Sequence, residues 1–260
     1  MRILITNDDG IEADGIHNLR RIAEHLTDDI WLVAPISEQS CQSQSLTVKR
    51  PVRIRHFEPK VHAVIGTPTD CVFIALSEIM ADNPPDLVLS CINHCSNYGQ
   101  DIIYSGTVAA AREATLRGIP AISMSYRFDA NLPLEWEGAL HYGPKIVRHL
   151  LNIGIPKGNL ININYPACRL EDIKGIKVVK SGSRNSLNKL LKRSDPYNND
   201  YYWLCASAPS TDDEPDCDVS MIHQHYITIT PIKIDTNNYE LVSKLEHSFE
   251  EANIFSKIDN

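Results

Sequence analysis

Two adjacent carboxylates, Asp8 and Asp9, follow a short apolar run at residues 3–6. Like charges held this close repel, and a shared proton or a bound cation relieves the repulsion. Oxygen donors suit hard ions such as Mg2+ or Mn2+. Asp9-Gly10 is equally a common turn dipeptide, so the pair alone is compatible with a metal site and with a solvated turn. A second segment, Tyr104-Ser105-Gly106-Thr107, opens a helical pattern. Free N–H groups and the helix dipole make such a start attractive to anions. Gly106 would let an oxyanion approach, and Ser105 and Thr107 add hydroxyl donors. An ordinary N-cap formed by Ser105 or Thr107 explains the same residues. Ser40, in the polar stretch 37–45, is either a weak metal ligand or part of a surface loop. Asn93 and Asn97 offer neutral carbonyl ligands, or serve as turn residues.

These groups could cooperate only if the chain delivers them to one edge. Residues 3–6, 30–34, 61–65, 87–89 and 121–125 are short apolar runs that read as buried strands. Between them lie helical patterns. Ile16, Leu19, Ile22, Ala23 and Leu26 repeat at helical spacing. Residues 67–80 begin with Thr67 as cap, Pro68 in the first turn and Asp70 at the positive end. Residues 107–117 stop at Gly118, with Pro120 behind it, and residues 135–151 form a long helix. Strands alternating with helices imply an α/β fold with a Rossmann-like, doubly wound, mostly parallel sheet. Ligands of such sheets bind outside the carboxyl ends of the strands. Those ends carry Asp8-Asp9, the segment after Ala34 and the loop after Ser90.

The pattern changes near residue 155. Residues 160–165, 176–179, 201–206 and 226–232 read as strands, separated by long polar loops at 181–200 and 209–218. Residues 1–155 are therefore expected to form the catalytic core. Residues 156–260 are expected to supply a β-rich extension and C-terminal segment that complete the domain and make an oligomer contact.

Lys and Arg total 25 against 33 Asp and Glu, a net charge of −8. That balance argues against binding nucleic acid or an anionic membrane surface. It leaves a small phosphate substrate open, because a cation inverts the field locally. No run approaches the ~20 apolar residues of a membrane span, and the start lacks signal-peptide character. Seven cysteines, an odd number, fit poorly with a closed disulfide framework. The expectation is a cytoplasmic protein with reduced thiols.

Met1-Arg2-Ile3-Leu4 through Asn7-Asp8-Asp9-Gly10, Ala34-Pro35 with Ser40 and Ser43-x-Ser45-Leu46-Thr47, and Gly66-Thr67-Pro68-Thr69-Asp70-Cys71 stand in a recognisable order. Ser90-x-Ile92-Asn93 with Asn97, Tyr104-Ser105-Gly106-Thr107-Val108-Ala109-Ala110-Ala111, Asp195-Pro196, Tyr202-Trp203 and Ile229-Thr230-Pro231 continue it. This combination resembles the survival protein E (SurE) family along essentially the whole chain. The resemblance implies a phosphomonoesterase acting on nucleoside monophosphates as a 5′-nucleotidase, with 3′-nucleotidase and exopolyphosphatase activity also credited to the family. It implies one divalent metal ion per subunit, Mg2+ or Mn2+, held by Asp8, Asp9, Ser40 and Asn93. Asp8 and Asp9 would be the catalytic carboxylates. Asn97, Ser105, Gly106 and Thr107 would contact the substrate phosphate. It further implies a homodimer or homotetramer whose C-terminal parts exchange between subunits.

Three positions usually glycine in that family are Cys41, Cys91 and Cys95 here, and another is His225. Glycine at such turns supplies positive φ or close backbone approach. The cysteines are either small replacements at tolerant turns or a cluster beside the acidic pair. Such a cluster could bind Zn2+ together with His94 or form a regulatory disulfide. A receiver-type signalling domain also carries paired acids after its first strand. The strand ends here offer Ser90 and no phospho-accepting aspartate. A catalytically impaired nucleotide-binding or scaffold member of the same family is the remaining alternative.

Overall fold

In a computed structural model, residues 1–132, 135–183, 187–206 and 214–252 are described. The strands are β1 (Arg2–Thr6), β2 (Asp29–Pro35), β3 (Ile54–Glu58), β4 (Val61–Val64), β5 (Leu87–Asn93), β6 (Ala121–Tyr126), β7 (Asn159–Tyr165), β8 (Gly175–Val178), β9 (Leu187–Ser194), β10 (Asp200–Ala206) and β11 (Tyr226–Lys233). The helices are α1 (Asp14–Glu24), α2 (Pro68–Ile74), α3 (Asp101–Tyr104), α4 (Gly106–Leu116), α5 (Glu137–Ile153), α6 (Asp218–His223) and α7 (Tyr239–Ala252). A π turn, Ala75–Ile79, prolongs α2.

Nine strands form one mixed sheet in the order β3-β4-β2-β1-β5-β6-β7-β11-β8, and β9 pairs with β10 as a separate hairpin. The contiguous run from β4 to β7 is parallel throughout. The expected α/β, doubly wound sheet is thus observed. Chain order runs outward from β1 to β2 and β4 on one side and to β5, β6 and β7 on the other. The switch point of the topology therefore lies between β1 and β5, the position at whose strand ends such sheets bind ligands.

Side-chain alternation along β1 builds the two layers. Ile3 and Ile5 join α1 and α5 in one core cluster, while Leu4 joins α2 and α4 in the other. All three isoleucine and leucine side chains are completely buried. Burying each contributes about 1.5–3 kcal/mol, which fixes the central strand and with it the position of its tip. Gly15 lets α1 sit tightly on β5: a Cβ there would lie 2.2 Å from the Ile92 carbonyl oxygen.

Residues after 155 do not form a detached layer. Strands β7, β11 and β8 continue the main sheet, with β11 antiparallel to β7. The segment 181–200, read as loop, contains β9. Its strand character escapes notice because Leu190 is exposed and basic residues surround it, so the usual apolar alternation is missing. Of the expected loop 209–218, residues 209–213 lie outside the described residues.

Candidate active site

The turn after β1 is pinned from several sides. Asn7 is buried and its Nδ2 donates to the Gly10 carbonyl at 2.6 Å. The backbone N–H of Gln39 donates to the Asp8 carbonyl at 2.7 Å, and that of Ile11 to Pro35 at 2.8 Å. The ends of β1 and β2 are thereby tied together, and the plain solvated turn is not what forms: Asp8 is buried, with 3 % exposure.

Asp8 Oδ1 accepts the Thr107 hydroxyl at 2.6 Å. Gly106 permits this approach, since a Cβ there would stand 2.8 Å from Asp8 Cβ and 3.0 Å from Asp8 Oδ2. The first turn of α4 thus rests directly on Asp8. Burial, together with the charge of Asp9, pushes the Asp8 carboxyl up to about 7, against the opposing pull of the Thr107 hydrogen bond. Asp9 Oδ2 accepts the Cys91 thiol at 3.4 Å, and Asp9 Oδ1 lies 3.1 Å from His94 Nδ1. Contact with Asp9 raises the His94 imidazole above its usual range.

One ligand atom from each of Asp8, Asp9 and Cys91 falls within 4.8 Å of the others, close enough to surround a single cation. Cys91 reaches this position through a break in β5. Ser90 pairs with Ser123 and Ile92 with Met124, leaving Cys91 as an extra residue in a bulge. Its φ is +44°, in the left-handed region glycine favours. Cys41 and His225 also have positive φ, at +59° and +68°, whereas Cys95 does not share it. The glycine preference inferred at three of these positions thus has a backbone cause. The bulge also explains why β5 extends to Asn93 although its apolar run ends near Leu89.

The family model described as survival protein SurE matches residues 3–188, more than half of the chain. The chain belongs to the SurE family. A protein of Bradyrhizobium sp. named 5′-nucleotidase SurE is 41 % identical over 251 residues, covering 94 % of this chain and 98 % of that one. One of the same name from Rhodopseudomonas palustris is 43 % identical over 240 residues, covering 90 % and 94 %. The crystal structure of the SurE protein from Aquifex aeolicus superposes with a TM-score of 0.83 at 35 % identity, covering 95 % of this chain and 99 % of that one.

In this SurE chain the structure brings Asp8, Gly106 and Thr107 into contact, with Asp9 held beside them against Cys91 and His94. Ser105 caps α4, its Oγ accepting the Val108 N–H at 3.0 Å, so the capping reading holds for that hydroxyl. Ser40 is exposed and donates to Glu38 Oε1 at 3.0 Å, one residue from the Gln39 bond to Asp8. Asn93 ends β5, buried, and its Nδ2 donates to the Cys95 carbonyl at 2.6 Å. Asn97 is also buried. Its Nδ2 donates to Ser125 Oγ at 2.8 Å, and its backbone bonds Asn162 and Asn164 of β7.

His94, read as a possible partner of the cysteines, instead pairs with Asp9. Two supports went unread in the sequence. Asn162 and Asn164 carry the loop after β5, and their signal is polar residues at alternate positions of an otherwise apolar strand. Asp218, completely buried, accepts backbone N–H bonds from Gly99 at 3.1 Å, Gly182 at 2.7 Å and Val219 at 2.9 Å. It staples that loop to the C-terminal half.

Proposed function

We propose that the protein is a metal-dependent 5′-nucleotidase, a phosphoric monoester hydrolase that converts nucleoside monophosphates to nucleoside and phosphate. The observation that carries this reading is the buried Asp8, paired with Asp9 and touching the first turn of α4 through Thr107. The relatives named 5′-nucleotidase SurE, alike over at least nine-tenths of the chain, support it.

The residues fit a divalent cation. Asp8 and Asp9 are carboxylates in mutual repulsion, and Asp9 Oδ1 is buried without a well-aligned hydrogen-bond donor among the described residues, only the charge pairing with His94. Asp8 and Asp9 would hold the ion, with Ser40 and Asn93 completing an oxygen set of the kind that suits Mg2+ or Mn2+. When bound, such an ion neutralises phosphoryl charge and acidifies water. The chain itself supplies orientation. The Gly106 and Thr107 end of α4 presents its N–H groups and positive dipole end to phosphate oxygens, with Ser105 setting the helix start. Asn97 fixes the facing loop and borders the phosphate. One of Asp8 and Asp9 would accept the proton of the attacking water. Positioning and charge neutralisation then account for most of the acceleration.

The assay is phosphate release from a panel of nucleoside monophosphates with Mn2+ or Mg2+, repeated with chelator and with D9N. Release that requires metal and disappears in D9N supports the reading. No metal-dependent release from any member of the panel refutes it, in favour of a nucleotide-binding or scaffold role. We further propose a homodimer or homotetramer. Leu241, Val242, Leu245 and Phe249 of α7, and Trp203 and Leu204 of the β9–β10 hairpin, are exposed apolar groups that a partner subunit would cover. Light scattering decides the assembly.

A further inference from the structure

Cys91 is an addition to the oxygen donors considered so far. It is a free thiol, completely buried, and its Sγ already touches Asp9 Oδ2. The bulge aims it inward at the cost of a left-handed backbone. By contrast Cys41 and Cys95 are exposed. Asp9 adds a second observation: its side chain is more than nine-tenths buried, yet Oδ1 accepts no well-aligned hydrogen bond among the described residues. Its close polar neighbour there is His94 Nδ1 at 3.1 Å, half-exposed on the solvent side, which leaves the oxygen open to a ligand atom or ion in better line.

We infer that Cys91 is a ligand of the metal centre, making it a mixed carboxylate–thiolate site selective for thiophilic dications of the Zn2+ and Co2+ class over Mg2+. The inference rests on the metal-centre reading above. Carboxylates alone favour hard ions, whereas one thiolate moves the preference towards borderline and soft ones. Without an ion, burial and the two carboxylates keep the Cys91 thiol well above its ordinary range, so it stays protonated. A dication reverses that field, and a coordinating thiol gives up its proton. The step balances as one S–H bond broken, one S–metal bond formed and one proton released to buffer, with no change of oxidation state.

The experiment uses the full chain, stripped of metal and titrated anaerobically with Co2+. Two absorptions are followed: the visible d–d bands that report any bound Co2+, and the near-ultraviolet sulfur-to-cobalt charge-transfer band that requires a thiolate ligand. Both are expected to saturate together. C91S and C91G should keep the d–d bands, lose the charge-transfer band and bind Co2+ about tenfold more weakly or worse. C91G guards against a folding defect, because glycine tolerates the positive φ. C41S and C95S should keep the band. Co2+ bound without the band, or a band that survives in C91S and C91G, overturns the thiolate ligand and leaves an oxygen-only centre. Absence of any Co2+ binding overturns this inference and the metal-centre reading together.

Discussion

Replacing Asp8 by asparagine should make the metal-free protein more stable while abolishing its chemistry. The Asp8 carboxyl has an ordinary value of 3.8 and stands at about 7 in the fold. A rise of roughly three units, at 1.36 kcal/mol each, is about 4 kcal/mol of destabilisation carried by the ionised form. The sign follows from linkage. Between pH 3.8 and 7 the folded state holds a proton that the unfolded chain has released, so stability falls as pH rises through that window. Asparagine carries no charge, keeps an oxygen acceptor for Thr107 and can donate its N–H2 towards Asp9. D8N should therefore gain about 2–4 kcal/mol over wild type in chelator above pH 7, and nearly nothing below pH 4. Urea unfolding of both proteins at pH 4, 5.5 and 7.5 measures the difference. A gain that is absent at pH 7.5, or equal at all three values, would refute the account of Asp8 as a buried, repelled carboxylate.

Other outcomes follow from the same geometry. Metal affinity measured by calorimetry should weaken more steeply below about 7, by about a further tenfold per pH unit, as protonation of Asp8 adds to the proton that Cys91 releases on binding. T107V removes the hydroxyl that stabilises the charged form, so the midpoint of that profile should move to higher pH and kcat/KM should drop by about ten- to a hundredfold. G106A puts a Cβ 2.8 Å from Asp8 Cβ and should cost about a hundredfold in kcat by displacing the carboxylate, with little change in secondary structure by circular dichroism. D218A leaves two buried N–H groups and a part-buried one without their acceptor and should lower stability by about 3 kcal/mol, with faster hydrogen exchange at Gly99 and Gly182.

Much of the central sheet was legible because its strands are apolar runs with helix signals between them. Thr67 and Asp70 illustrate this. Their residue types suggest a helix start, and they form a reciprocal capping box, with Asp70 also taking the Thr47 N–H and hydroxyl. Strand β3 left no comparable trace: it is an edge strand whose residues are mostly exposed. The acidic pair could be placed at a strand tip, but its burial could not, since that depends on α4 arriving from a hundred residues away. The Cys91 contact was half visible, as a cysteine where glycine was expected. The bulge that turns it towards Asp9 is a property of the β5–β6 register, which no local pattern encodes. Asp218 shows the same limit, because two of its three backbone partners, Gly99 and Gly182, come from distant segments and only the fold assembles them.

The Asp218 staple also bears on how the molecule can be taken apart. The residues proposed to meet phosphate and cation all precede residue 155, which invites treating that half as a transplantable unit. Yet the loop carrying Asn97 and Gly99 is upheld by Asn162, Asn164 and Asp218, all beyond that point. A chain cut there would keep every reacting group and lose the ground they stand on. The first half is thus an instrument without its mount, and a loss of activity on truncation would say nothing against the roles of Asp8 and Asp9.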